Sequence, residues 1–301
     1  MKYTHITKIC CLLAFFSTMS AVQAQTETDE PDSLPVFDEP RHEISLLGGG
    51  GISALNYSLN MSGSKTDGTG GISGFAGIAY TWNINNSIGV VTGLDVMSYG
   101  AKTTYDAISV DKDFSWFTFS YKIDNYVEEH SVTYLSIPVM FQYSVPLSGS
   151  KKFYMSGGFK VGFPIQSKAT MFPGNINTWG SPHDVLGHDY VTDDNTNLSK
   201  YGFVRNETPG SITGDIDVTA LLAVSLETGA RFFLTKNILL YTSVYLDYGL
   251  NNIRKSRDNN LINYQELTPA VLRYASVLNT QHVNKVKTLG AGLKVKVSFG
   301  W

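Results

Sequence analysis

The chain has 301 residues, a formal net charge of −3, and charged residues make up 16% of it. This weakly acidic balance argues against nucleic acid as a partner. Its 28 glycines, 17 tyrosines and 16 phenylalanines favour strands and turns over long helices. No segment after residue 24 has 18 consecutive apolar residues, so a membrane-bound form would have to be a closed β-barrel.

Residues 1–24 have the features of a secretory signal peptide. Two lysines precede an apolar stretch from Ile9 to Val22, and Val22-Gln23-Ala24 would suit cleavage before Gln25. The stretch is too short to span a bilayer as a helix. Because both cysteines lie within it, we expect a mature chain without disulfides. Removing residues 1–24, which carry two lysines and no acid, takes the net charge from −3 to −5.

Residues 25–41 form an acidic segment with six carboxylates, three prolines and one basic residue. This composition predicts a disordered periplasmic linker. The remainder, residues 42–301, is expected to form a single domain.

Eight segments of that domain alternate apolar and polar residues with the period of a β-strand. Connections after the second, fourth and sixth segments are short and rich in turn-forming residues, whereas the others are long. Outer-membrane barrels have short periplasmic turns and long external loops. The pattern predicts an antiparallel up-and-down transmembrane β-barrel with both termini in the periplasm. The strands are expected at about 42–54, 72–84, 87–100, 131–145, 152–167, 215–234, 237–250 and 285–301.

One face of the seven strands after the first carries no Asp, Glu, Lys or Arg, as lipid contact requires. A soluble lipocalin-like barrel would explain the alternation, but its apolar face would point inward. Eight aromatic residues on the uncharged face fall at the periplasmic ends of their strands and predict a girdle among lipid headgroups. They are Tyr80, Trp82, Phe141, Tyr143, Phe153, Phe232, Phe299 and Trp301.

The last thirteen residues, Leu289 to Trp301, alternate with period two and end on an aromatic residue with apolar residues two, four and six positions before it. This arrangement resembles the signal that the outer-membrane assembly machinery reads. We therefore expect the barrel-assembly machinery and outer-membrane lipid as partners, and the outer membrane of a Gram-negative bacterium as the location.

Residues 134–143 form a predicted strand with Ile137-Pro138 near its middle, and a short turn and the glycine-rich Phe153–Gly158 follow. This pattern resembles the PorT-type outer-membrane β-barrel family, which is related in architecture to the transmembrane domain of OmpA. The resemblance covers residues 42–301 and implies a small transmembrane barrel. Pro138 lacks a backbone donor, which predicts a bulge or a kink.

Four charged residues are expected to face the lumen: Glu227 and Arg231 on the sixth strand, and Lys294 and Lys296 on the eighth. An eight-stranded barrel is just wide enough for its side chains to fill it. Buried charges persist mainly when they are paired. The favoured interpretation is a salt-bridged network that fills the lumen, and the alternative is an ion path or gate.

The third external loop, Lys168 to Gly214, is long and contains His183-Asp184, His188-Asp189 and Asp193-Asp194. Histidine and carboxylate groups on such loops serve outer-membrane hydrolases and acyltransferases, or a metal. Their spacing matches no zinc or calcium template. We interpret them as solvated loop residues and assign no catalytic, cofactor-binding or metal-ligating residue.

Residues 111–123 carry several aromatic side chains that would form either an exposed patch for a glycan or protein, or an extended hairpin above the membrane. If the hairpin crossed the membrane, the barrel would have ten strands. Thr268-Pro269 followed by residues 270–278 predicts a short helix.

The function favoured by the sequence is a monomeric, non-enzymatic outer-membrane barrel whose external loops bind or assemble with partner proteins. A loop-based membrane enzyme and a narrow channel stay open as alternatives.

Overall fold

The structure is a computed structural model. It describes residues 39–59, 66–148, 151–183, 201–255, 260–265 and 271–301. The predicted signal peptide and all but the last three residues of the predicted linker lie outside these ranges.

The described residues form twelve strands and a short 3₁₀ helix at Val277–Asn279, and no helix among them is long and apolar enough to cross a bilayer. The strands are β1 (His42–Leu59), β2 (Thr66–Asn83), β3 (Ile88–Asp113), β4 (Phe117–Ser148), β5 (Lys151–Phe172), β6 (Asn175–Pro182), β7 (Ile212–Asp215), β8 (Leu221–Phe233), β9 (Ile238–Gly249), β10 (Ile262–Gln265), β11 (Val271–Tyr274) and β12 (Val283–Gly300).

Eight of the strands close into an antiparallel ring in the order β1-β2-β3-β4-β5-β8-β9-β12, and β12 pairs back onto β1. The predicted eight-stranded barrel is therefore confirmed, and the ten-stranded alternative is wrong. Closure pairs both backbone edges of every ring strand along the barrel wall. We call the end where β1 begins and β12 ends the proximal end, and the opposite end the distal end.

The two faces of the barrel wall differ as the alternation predicts. Outward-facing Leu46, Phe141 and Leu226 are each more than half exposed, whereas inward-facing Glu43 and Asp95 are buried. Because side chains alternate along a strand, a single register places apolar residues outside and polar residues in the lumen on every ring strand.

Glycine makes room for a large side chain inside the lumen. A Cβ atom at the inward-facing Gly49 of β1 would lie 2.6 Å from Cζ of Phe75 on β2. The Phe75 ring in turn packs edge-on against Tyr245, with ring centroids 5.0 Å apart. The glycine-rich middle of β1 thus allows aromatic rings to fill a narrow barrel.

Tight turns connect ring strands at the proximal end. Between β2 and β3 the Asn85 Oδ1 atom accepts hydrogen bonds from the backbone N–H groups of Ser87 and Ile88, at 2.9 and 2.7 Å. Between β8 and β9 the Thr235 hydroxyl accepts from Ile238 at 3.2 Å. These side chains satisfy the turn backbone, as is typical of Asx and ST turns.

Strands β3 and β4 continue beyond the ring at the distal end. Their outer parts pair from Ala107 opposite Asp124 to Asp113 opposite Thr118, and β6 pairs with the other edge of β4. We call this three-stranded extension, residues 107–113, 117–124 and 175–182, the distal sheet. It contains the hairpin predicted from residues 111–123.

Two predicted elements at the distal end are wrong. The sixth predicted strand, 215–234, is two elements, because β7 pairs with β5 and the ring strand β8 begins only at Leu221. The helix predicted at 270–278 is instead β11 followed by the 3₁₀ turn. Pairing with β10 explains this, because it sets Leu272 opposite Tyr264. Both side chains pack in a hydrophobic cluster with Phe117, Phe119 and Phe203, which we call the distal core.

Pro138 does not mark a bulge. It lies opposite Lys160 in an unbroken ladder, and the register shifts between β4 and β5 occur instead at Thr133/Tyr134 and Pro146/Ser148. On the other edge of β4, the ladder with β3 omits Ile137 and Pro138 and resumes in the same register, with Thr92 opposite Val139 and Asp95 opposite Ser136. The missing donor therefore interrupts pairing locally without shifting the register.

Candidate functional site

The proximal mouth of the lumen is closed by charge pairs. Glu39, in the segment just before β1, forms salt bridges with Arg231 and with Lys152, the latter at 2.6 Å. Arg231 Nη1 also lies 3.7 Å from Glu43 Oε1, and Glu43 accepts hydrogen bonds from Tyr241 at 2.7 Å and Asn83 at 2.9 Å. The last acid of the predicted linker is thus docked into the barrel.

A second layer lies deeper in the lumen. Lys294 Nζ donates to Glu227 Oε2 at 2.8 Å, and the hydroxyls of Tyr154 and Ser243 donate to Glu227 Oε1 at 2.5 and 2.9 Å. Lys296 Nζ lies 3.7 Å from the centroid of the Tyr241 ring, in cation–π geometry. Of the four lumen charges named from the sequence, the structure brings Glu227 and Lys294 into direct contact.

The third layer is centred on Lys160 of β5. Its Nζ atom lies 2.9 Å from Asp247 Oδ2 and 3.6 Å from Asp95 Oδ2, and Ser225 donates to the second oxygen of Asp247 at 2.5 Å. The sequence places these residues on the lumen face but gives no indication that they form a set.

The three layers together contain five carboxylates and five cations. Each of these ten residues is 15% exposed or less. Nine of the ten lie within 4.0 Å of a group of opposite charge, and the tenth, Lys296, lies over the Tyr241 ring. The network therefore has no net formal charge, which limits the cost of burying its ions. The residues are Glu39, Glu43, Asp95, Glu227 and Asp247 with Lys152, Lys160, Arg231, Lys294 and Lys296.

Above the charge layers the lumen is closed by a turn from the segment between β11 and β12. We call residues 276–280 the capping turn; its described side chains are nearly fully buried. Val277 N–H donates to Glu128 Oε2 at 3.0 Å. The Asn279 side chain accepts from Asp217 N–H at 3.0 Å and donates to the Asp215 carbonyl at 2.9 Å. These bonds attach the turn to two separate parts of the barrel rim.

Glu128 and His130 form a buried pair beside the capping turn. Both lie distal to Leu135, the most distal exposed apolar residue of β4, and both side chains are fully buried. His130 Nε2 lies 3.1 Å from Glu128 Oε1, in ion-pair range but not aligned as a hydrogen bond. Burial raises the pKa of Glu128, but His130 and the hydrogen bonds from the capping turn outweigh it and hold that pKa below its usual value.

The distal sheet covers an aromatic core. Phe117 and Phe119 are fully buried, and Phe119 packs against Tyr264 with ring centroids 4.7 Å apart. Phe203 stacks on the same tyrosine at 6.4 Å. Trp116, at the tip of the hairpin, is 48% exposed. Most of the aromatic residues considered for an exposed patch are therefore core, and Trp116 is at the surface.

The histidine and carboxylate cluster is only partly described. His183 Nε2 lies 3.2 Å from the Thr118 hydroxyl, which donates to Asp113 at 2.6 Å. In the part of the chain that the structure describes, no group of three His, Cys, Asp or Glu side chains is arranged to hold a metal. Asp184, His188, Asp189, Asp193 and Asp194 lie outside the described residues.

The eight residues of the predicted girdle point outward near the proximal end of the ring. Six are between 39% and 67% exposed, and Phe153 and Phe232 are partly buried. His42 on β1 contacts two members, because its ring stacks 6.0 Å from Tyr80 and lies 5.9 Å from Trp301. Their role at a membrane interface stays a prediction.

Comparison with curated protein sequences gives no match. Among solved structures, the chain is similar to Neisserial surface protein A, with 11% identity, a TM-score of 0.35, and coverage of 86% of this chain and 97% of that one. It is also similar to OprG from Pseudomonas aeruginosa, with 13% identity, a TM-score of 0.37, and coverage of 89% and 100%. Ail of Yersinia pestis is 12% identical, with a TM-score of 0.22 and coverage of 85% and 99%.

The family described as outer membrane protein beta-barrel domain matches residues 23–255, well over half of the chain. This match does not reach to the finer PorT-type assignment, which stays a prediction. The closed ring with apolar residues outside and charges inside is the architecture that such proteins need in lipid. The chain belongs to the outer membrane protein beta-barrel domain family and is a protein of the Gram-negative outer membrane.

Proposed function

We propose that the protein is a non-conducting, non-enzymatic barrel that presents its distal sheet outside the cell to bind a partner protein. In this orientation both termini are periplasmic, and the short proximal turns face the periplasm. The proposal favours display of a binding surface over transport and over catalysis.

The length of β3 and β4 carries this proposal. A strand needs about 9–11 residues to cross the hydrocarbon core of a bilayer, whereas β3 has 26 residues and β4 has 32. The excess is built into the paired and packed distal sheet rather than a loop. Ordering so much chain is costly in entropy, and a function for the ordered surface accounts for that cost.

The filled lumen supports display over transport. Ten charged side chains, nine of them in ion pairs, lie in the lumen, and the capping turn covers its distal end. An ion would have to displace Lys294 from Glu227 and Lys160 from Asp247 to pass. Each displacement leaves a buried charge unmatched, which opposes conduction.

The geometry at His183 favours display over catalysis. Its Nε2 atom contacts a threonine hydroxyl that already donates to Asp113, so the hydroxyl proton is directed away from the imidazole. A nucleophile activated by a histidine needs the opposite arrangement, in which its proton points to the ring nitrogen.

Site-specific cross-linking in intact cells tests the proposal. A photoreactive amino acid at exposed Ser115, in the hairpin tip, should form a saturable adduct with a second protein. The same group at Phe141, on the outward face of the ring, should react with lipid instead. Purified protein in planar bilayers should give no ohmic conductance. A large steady conductance, or identical adducts from both positions, would contradict the proposal.

A further inference from the structure

We propose that the outer edge of β3, between Ala107 and Asp113, binds an extended cationic segment of another protein by adding it as a strand to the distal sheet. This inference rests on the proposed function and names the class of partner. The sequence predicts a hairpin in this region but does not reveal which of its edges is open.

Among the described residues this edge is open, because β2 begins only at Thr66. Pairing between β2 and β3 reaches Thr66 opposite Tyr105, while β3 continues for eight residues beyond that point. Within the described ranges, β4 is the strand paired with this outer part of β3, and β4 itself is flanked on both sides by β3 and β6. The described distal sheet therefore ends at β3.

The backbone of this edge offers alternating donors and acceptors. The hairpin is closed by a hydrogen bond of 2.8 Å from Phe114 N–H to the Phe117 carbonyl. Hydrogen-bonded and non-hydrogen-bonded pairs alternate along an antiparallel ladder. Lys112, Val110 and Ile108 therefore bond to β4. Residues 107, 109, 111 and 113 direct their N–H and C=O groups away from it.

The edge strand is already extended, and its inner face is packed. Ile108 on its inner face is 1% exposed and packs in the distal core with Phe117 and Phe119. Residues 106–113 contain no proline, which would remove a donor. Because the strand is already extended and packed, addition orders only the incoming segment, which lowers the entropic cost of binding.

The charge of the edge selects the occupant. Asp106 and Asp111 are exposed, and neither carboxylate forms a hydrogen bond or ion pair with another described residue. Asp113 adds a third carboxylate at the tip. The cation among them, Lys112, lies 5.4 Å from the centroid of the Phe114 ring. Three carboxylates repel a second copy of the same edge, which opposes self-association. Asp111 and Asp113, two positions apart and therefore on one face of the strand, attract a segment with lysine or arginine at alternate positions.

Peptide binding to the full-length protein in nanodiscs tests the proposal. The probe is a fluorescent octapeptide that alternates lysine and threonine. Two control peptides change one property each: one carries N-methyl groups along a single backbone edge, and the other has glutamate in place of lysine. Empty nanodiscs measure attachment to lipid. Anisotropy titrations at low and physiological salt give the affinities.

Two variants of the protein separate backbone pairing from charge. Ser109→Pro removes an outward N–H without removing a bond to β4, and Ser109→Ala is its matched control. We expect Ser109→Pro and the N-methylated peptide each to weaken binding by about tenfold, the loss expected for one or two hydrogen bonds. Asp111→Asn with Asp113→Asn should weaken binding several-fold and reduce its salt dependence. Gel mobility before and after boiling checks that each variant still folds.

Equal affinity for the N-methylated peptide, or for Ser109→Pro protein, would overturn strand addition and leave only diffuse charge attraction. Absence of binding by the unmodified peptide would also overturn it, because the edge would then be covered or inaccessible. If the adduct at Ser115 forms in cells but is unchanged in Ser109→Pro, the proposed display function stands and this edge is not its binding site.

Discussion

Glu128 Oε2 accepts a hydrogen bond from the backbone N–H of Val277, which is 149 residues further along the chain. This bond joins the segment before β12 to the inner face of β4. The Tyr126 hydroxyl donates to the same oxygen at 2.9 Å. Glu128 is thus one of the groups that hold the capping turn over the lumen, together with Asn279.

The first prediction concerns pH. The pKa of Glu128 lies below its unfolded value of 4.5. The folded state therefore binds this proton less readily, so its stabilisation is present above about pH 4.5 and is lost as the pH falls further. Hydrogen exchange at the amides of residues 277–280 should accelerate in that acidic range. Glu128→Gln should already show the faster exchange at neutral pH. The neighbouring Glu129→Gln variant, changed at an exposed position, should not exchange faster. Equal exchange in the two variants would contradict this role of Glu128.

The second prediction concerns the lumen. Glu227→Ala removes the partner of Lys294 and leaves a buried cation unmatched. The free energy of unfolding should fall by roughly 3–5 kcal/mol, the range for a broken buried pair. Adding Lys294→Met should recover part of the loss, because no unmatched charge then remains. Denaturant titration in detergent measures both changes. A double variant no more stable than Glu227→Ala would contradict the pairing.

The third prediction concerns the proximal mouth. Glu39 contacts both Lys152 and Arg231, so Glu39→Ala and Lys152→Ala should each destabilise the barrel, and the double variant should lose less than the sum. A coupling of about 0.5–3 kcal/mol is expected for residues in one salt-bridge network. Additive losses in thermal unfolding would show that Glu39 does not dock there in solution.

The fourth prediction separates the closing strand from the distal structure. The Trp301 carbonyl accepts from Arg41 and His42, and Trp301 N–H donates back to His42 at 3.0 Å. Removing residues 299–301 should leave an open edge in lipid and prevent assembly. Replacing the segment from Lys168 to Gly214 by a short turn removes β6 and β7 but leaves ring pairing through residue 167. That form should assemble but lose its partner, because β6 and Phe203, which support the distal sheet, are then absent. Equal membrane fractionation of both forms would contradict this assignment.

The alternation of apolar and polar residues was sufficient to predict the ring. From Leu289 to Trp301, apolar and polar residues alternate with a period of two, because one face of the strand meets lipid and the other meets the lumen. A single sequence is enough to show this alternation. The proximal turns were also predictable, because Asn85 and Thr235 form hydrogen bonds with residues only two or three positions away. Local patterns thus fixed the strands and their order around the ring.

The partners of the lumen charges were not predictable. Lys294 and Glu227 are 67 residues apart, and Arg231 and Glu39 are 192 residues apart. Their contact depends on barrel diameter and strand stagger, which no local pattern records. The helix predicted at 270–278 failed similarly. A proline signal favoured a helix, but pairing of Leu272 with Tyr264 of β10 and burial in the distal core favoured a strand.

The position of Arg231 has a consequence for the order of assembly. Its carboxylate partners, Glu39 and Glu43, arrive with the first strand, whereas Arg231 lies on the sixth strand of the ring. An open sheet that lacks the contact between β1 and β12 cannot bring these groups together across a lumen. The lumen charges are therefore matched in the same event in which β1 pairs with β12. A chain that stalls before closure exposes an unmatched guanidinium, which disfavours its burial in lipid until β1 has met β12.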